Sequence, residues 1–116
     1  MASESEKAVA LKSKKVARGL SPATRHHSVY VVYLRSPKGD GKAGYYVGMT
    51  GLSPERRFEN HKRGIKSAGV VTRCGERLVP HLYAHLNPMP YARAKEVEVW
   101  LAESLRKRGY LVYGGH

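Results

Sequence analysis

The chain has 116 residues, enough for one compact domain and too few for much beside it. Apolar residues make up 41%, which supports a core and argues against wholesale disorder. No run of eighteen apolar residues marks a membrane span, the N-terminus lacks the apolar centre of a secretory leader, and the single Cys74 cannot close an internal disulfide. These features predict a cytoplasmic protein with no membrane partner. Charge says more: 21 Lys and Arg against 9 Asp and Glu give +12, beyond the usual range for a small domain. Such a field attracts a polyanion and speeds encounter with it, so nucleic acid leads as partner, ahead of an anionic membrane or an acidic protein.

Residues 1–27 differ from the rest. Val9, Leu11 and Val16 stand among Lys7, Lys12, Lys14 and Lys15, and the pattern predicts a short basic helix over 5–16. Gly19 stops it and Ser21-Pro22 begins a turn. This N-terminal arm either follows a phosphate backbone or serves as a solubilising tail. The domain proper is read as 28–116.

Ser28–Leu34 is rich in β-branched and aromatic residues and predicts a strand. Residues 36–44 form a Gly-, Lys- and Asp-containing loop, with Lys38 and Lys42 positioned to meet a phosphate backbone. Residues 44–48 predict a second strand, paired with the first as a hairpin. Ser53-Pro54 opens a helix with the residue types suited to N-cap and first turn, and Glu55 follows where negative charge is favoured. That helix is expected over 54–63, ending before Gly64. A third strand is expected at 78–83, with 70–73 and 77–85 as the alternatives. A long helix opens at Tyr91 or Ala92 and runs to about Lys107; Gly109 ends it, and 110–113 predicts a short final strand. The order is β-β-α-β-α-β.

Three groups of residues stand out. Glu98 interrupts the apolar stripe Ala94, Leu101, Leu105, with Val97 beside it, whereas Glu96, Glu103 and Lys107 fall toward the opposite face. A carboxylate turned inward needs a cation, a donor or a metal, so it is either a structural ion pair or a Mg²⁺ ligand. Arg57 and His61 lie four apart on one helix face, within a basic patch of Arg56, Lys62, Arg63 and Lys66. The guanidinium fork suits phosphate oxygens, and imidazole can donate to phosphate or assist proton transfer. A basic helix alone signifies no more than binding or a solvated face. Tyr30 and Tyr46 lie on successive strands, where pairing can bring their hydroxyls together; strand packing or base stacking is the plainer reading of either ring.

Taken in order, Val29-Tyr30, Tyr46-Val47-Gly48, Arg57-Phe58-Glu59-Asn60-His61 and Ala94-Lys95-Glu96-Val97-Glu98 resemble the signature of the GIY-YIG nuclease superfamily over roughly residues 28–113. Ser28 replaces the first glycine of that signature and Val47 the isoleucine of its second half. The resemblance implies an α/β (α+β) domain: a small central, mainly antiparallel β-sheet flanked by helices. It also implies metal-dependent endonuclease activity on DNA phosphodiester bonds, with one Mg²⁺ or Mn²⁺ ion per active site. On that analogy Glu98 holds the metal, Tyr30 activates or positions water, Tyr46 orients, and Arg57 and His61 assist at the phosphate. Arg56, Lys62, Arg63, Lys66, Lys38 and Lys42 would contact the backbone. The pattern departs at its end, where many family members carry an asparagine: none follows Asn87, and His116 is the polar residue available in its place. His26, His27, His81, His85 and Cys74 do not form a zinc-ligand spacing. The alternative function is a nucleic-acid-binding module with weak or absent cleavage. DNA is the expected partner with RNA also compatible, and the chain is expected to act as a monomer or homodimer.

Overall fold

The computed structural model describes residues 26–115. The basic helix expected over 5–16, the turn at Ser21-Pro22 and the contact expected of His116 lie outside the described residues.

Four strands form one sheet in the order β3-β1-β2-β4. Strand β1 (Ser28–Leu34) is buried along its length and sits second from the edge, which explains why its sequence is a near-continuous Val/Tyr/Leu run rather than a polar–apolar alternation. It pairs antiparallel with β2 (Gly44–Thr50), and the register sets Tyr30 opposite Gly48 and Val32 opposite Tyr46. The second strand therefore runs two residues past the expected Gly48, as far as the Ser28–Thr50 pair. Strand β4 (Leu111–Gly114) lies parallel to β2, with Tyr46 opposite Tyr113. The result is a mixed sheet, two antiparallel pairings and one parallel, flanked by helices.

Helix α1 (Pro54–Lys62) begins as its sequence dictates: Ser53 Oγ accepts from the Arg56 N–H at 3.2 Å, Pro54 opens the first turn and Glu55 faces the positive end of the helix dipole. Helix α3 (Tyr91–Lys107) buries Ala94, Val97, Glu98, Leu101, Ala102 and Leu105 and leaves Glu96, Glu103 and Lys107 in solvent, so the apolar stripe and its acidic interruption both point inward. Its packing is against β2 and β4.

The third strand is not where the sequence suggested. Of residues 78–83 only Leu78 is in a strand: β3 is Gly75–Leu78, and two 3-10 turns follow at Pro80–Leu82 and Ala84–Leu86. Pro80 explains the shift, because it has no N–H for a ladder and its fixed φ starts a turn. Residues 70–73, the other apolar candidate, fall in a short helix, α2 (Gly69–Cys74), which had no counterpart among the expected elements. Valines at 70 and 71 favour a strand locally, but the helix buries Val71 completely.

Where β3 stops short, a side chain continues the ladder. Asn87 accepts from the Val29 N–H at 2.9 Å and donates through Nδ2 to the Val29 carbonyl at 2.7 Å, while the Val79 N–H reaches the Val31 carbonyl at 2.9 Å. Val29 is fully buried, so its main-chain groups depend on this side chain for their partners. Asn87→Ala is expected to destabilise the domain by about 2–4 kcal/mol, since it strands two buried main-chain groups. Urea denaturation measures this, and a loss no larger than that of an ordinary surface substitution would show that the pairing is not needed.

Candidate active site

The geometry of the sheet brings the two tyrosines together. Tyr30 points to the same sheet face as Val32 and Leu34, and through the β1–β2 register this is also the face of Tyr46 and Gly48. The rings of Tyr30 and Tyr46 lie 6.2 Å apart between centroids, tilted by 37°. Gly48 makes this possible. A Cβ at that position would fall 2.6 Å from Tyr30 Oη, so the phenol lies across the glycine where no larger residue leaves room.

Helix α1 closes over this face. Tyr30 Oη and His61 Nε2 are 2.8 Å apart in a fully buried contact that joins the first strand to the helix. The His61 ring also meets the Tyr46 ring edge-on, with centroids 5.5 Å apart. Arg57 stands one turn earlier on the helix, where its guanidinium charge and hydrogen bonding act on Tyr30 and its charge acts on Tyr46. Glu98, 8% exposed on α3, adds a negative charge within reach of both phenols. Residues from β1, β2, α1 and α3 thus act on one another at one locus.

Ionisation in the cluster is governed first by burial. Tyr30 is held well above the ordinary tyrosine range, chiefly by desolvation and then by Tyr46; the Arg57 charge and hydrogen bond pull it partway back, and Glu98 pushes it up again. Tyr46 is also raised, by burial first and Glu98 second, with Arg57 and a hydrogen bond from Tyr30 opposing. His61 is lowered to about 4 by burial and then by the Arg57 charge. At neutral pH both phenols therefore keep their protons and the imidazole is uncharged.

The imidazole does not face solvent. His61 is 0% exposed, with Nε2 against Tyr30 and Nδ1 accepting the Ala68 N–H at 3.1 Å. A direct contact between this ring and a phosphate is thus not open in the folded chain; the residue stands behind the phenols. The six other basic positions singled out from the sequence, Lys38, Lys42, Arg56, Lys62, Arg63 and Lys66, are all exposed. Lys62 nonetheless spends its ammonium on the carbonyls of Thr72 (3.0 Å) and Gly75 (2.8 Å), where it holds α2 and the start of β3 to α1. Arg57 likewise donates to the carbonyls of Ile65 (3.3 Å) and Lys66 (2.7 Å). These main-chain contacts were invisible in the sequence, because a carbonyl or N–H carries no residue-type signal.

Among the described residues no group of three or more His, Cys, Asp and Glu stands together as a metal cage. Glu98 is instead a single near-buried carboxylate beside two phenols. That donor set does not fit a structural zinc site, which takes four protein ligands. It does fit a hard cation of the Mg²⁺ type, which needs only one or two carboxylates and draws its remaining ligands from phosphate and water.

The His61 shift has a consequence for stability. Its folded value lies below the ordinary 6.5, so burial as the neutral form contributes stability that is present above pH 6.5 and is lost as pH falls toward 4. The loss should reach on the order of 3 kcal/mol. Thermal unfolding midpoints between pH 7 and pH 4 are expected to fall steeply for the parent and less for His61→Gln; parallel profiles would remove His61 as the cause. Comparison of the chain with protein-family models, with curated proteins and with solved structures returns no match.

Proposed function

We propose that this chain is a divalent-metal-dependent endonuclease of the GIY-YIG type that hydrolyses DNA phosphodiester bonds. The observation that carries the reading is the convergence of Tyr30, Tyr46, Arg57 and His61 within one ring-packed, hydrogen-bonded cluster, with the Glu98 charge acting on both phenols. The motif order in the sequence and the +12 net charge support the same conclusion.

In this reading Arg57 opposes negative charge that builds up on the phosphoryl oxygens. Tyr30 and Tyr46 form the phenol pair that activates and orients water. Tyr46, half-buried, offers the accessible edge, and Tyr30, 1% exposed, stands behind it. His61 holds Tyr30 in place. Glu98 would hold one Mg²⁺ or Mn²⁺ ion, whose chemistry is Lewis-acid polarisation of the phosphoryl group and stabilisation of the leaving oxygen. Arg56, Arg63, Lys66, Lys38 and Lys42 supply exposed positive charge for the rest of the backbone. DNA is the proposed substrate and the cytoplasm the proposed compartment.

One observation favours the second reading, a nucleic-acid-binding module that cuts weakly or not at all. The two terminal nitrogens of Arg57 are already donating to the carbonyls of Ile65 and Lys66, which leaves less of the guanidinium for a phosphate.

Cleavage of supercoiled, linear, branched and single-stranded DNA with Mg²⁺, Mn²⁺ or EDTA separates the two. Glu98→Gln is expected to keep DNA affinity while cutting falls by about 100-fold or more, and Arg57→Ala to lower both. Equal cutting by parent and Glu98→Gln would sink the metal role, and binding without cutting by the parent would favour the second reading.

A further inference from the structure

The segment that follows α1 receives bonds from both basic residues of the cluster. Arg57 donates to the carbonyls of Ile65 and Lys66, and His61 Nδ1 accepts from the Ala68 N–H. The segment is itself tied down on both sides. Thr72 Oγ1 donates to the His61 carbonyl at 2.8 Å, Lys62 Nζ reaches across to Thr72 and Gly75, and the Ile65 N–H bonds the Asn60 carbonyl at 2.9 Å. Lys66 lies at φ +45°, a left-handed conformation that side chains resist, in the residue whose carbonyl accepts the shorter of the Arg57 bonds. A strained backbone at that point indicates a turn over-determined by its contacts.

The bond at Nδ1 decides the chemistry of His61. A main-chain N–H can only donate, so Nδ1 must present its lone pair to Ala68. In a neutral imidazole the proton then resides on Nε2, and Nε2–H donates to Tyr30 Oη. The imidazole thus offers Tyr30 a hydrogen and not a lone pair. It is barred from taking the phenol's proton, and the Tyr30 hydroxyl hydrogen is directed away from His61. The Arg57 charge favours the same outcome, since it stabilises negative charge on the Tyr30 oxygen.

We propose that the turn 65–68 is a positioning element of the site: the Ala68 N–H fixes His61 as the Nε2–H tautomer, which donates to Tyr30, and the carbonyls of Ile65 and Lys66 hold the Arg57 guanidinium in place one turn earlier on the helix. Ala68 supplies its part through the backbone alone. It is the N-cap of α2, where its N–H is not needed by that helix, and no side-chain function is asked of it. The tautomer assignment stands independently of catalysis; its effect on turnover rests on the nuclease reading.

Nitrogen-15 spectra of the full-length chain at neutral pH read the tautomer directly. The expected result is a protonated Nε2 and an unprotonated Nδ1 at His61, and the reverse pattern overturns the proposal. Ala68 has φ −78°, a value proline adopts, so Ala68→Pro deletes the N–H at a compatible backbone angle, while Ala68→Gly retains it. With Mg²⁺ and DNA, Ala68→Pro is expected to lose about 10- to 100-fold in kcat with little change in KM, and Ala68→Gly to stay near the parent. A folded Ala68→Pro chain that keeps both the parent tautomer and the parent kcat overturns the proposal. Should Ala68→Pro fail to fold, the spectrum of the parent still decides the tautomer. A parent that cuts no DNA under any condition defeats the nuclease reading by itself and leaves the tautomer result in force.

Discussion

A phenol and an imidazole meet inside this domain, and much of the remaining structure is arranged around that contact. The hydrogen bond between Tyr30 and His61 spans thirty-one residues of sequence and joins a largely buried strand to the first helix. Two polar groups removed from water need partners, or each costs on the order of 1–3 kcal/mol. The fold meets that demand stepwise. Gly48 leaves the space in which the Tyr30 ring lies, the Arg57 charge acts on the phenol from the same helix, and Ala68 satisfies the far nitrogen of the imidazole. Because every member has an assigned partner, the ring positions are fixed by bonds as well as by packing.

The same burial sets the electrostatic character of the cluster. Arg57 favours phenolate, but desolvation is the larger effect and the phenols stay protonated in the free chain. On the nuclease reading, a cation at Glu98 is what would tip that balance, since it adds positive charge at the spot where negative charge now opposes ionisation. Basic residues elsewhere divide into two kinds. Lys62 serves the scaffold by closing α1 onto α2 and β3, whereas Arg56, Arg63, Lys38 and Lys42 extend from an exposed surface. Net charge alone could not have made that distinction.

Local chemistry made several elements readable in advance. Ser53-Pro54 marked the start of α1 because a hydroxyl at the N-cap and a proline at the first turn answer needs of the helix end itself. The α3 stripe was legible because a 3.6-residue period maps directly onto one face, and Glu98 was conspicuous for breaking it. The region 68–86 was misread because local and tertiary preferences conflict there. Val70 and Val71 favour a strand but complete a short helix, and Pro80 breaks the run expected to be a strand. Asn87, a residue with no evident role in sequence, takes over the ladder where β3 stops.

By itself the sequence determined which side chains are present, the periods that place them on helix or strand, and the net charge of +12. Those properties reside in residue type and spacing. It could pair Arg57 with His61 because a four-residue step on a helix is proximity, and it could offer Tyr30 and Tyr46 as candidates on successive strands, but which tyrosines face one another waited on the sheet register. Only the tertiary structure decided that His61 turns inward, that its proton sits on the nitrogen facing Tyr30, and that Arg57 is held by the turn at 65–66. Those outcomes depend on main-chain donors and acceptors, which every residue carries alike and which become specific only when the chain has folded around them.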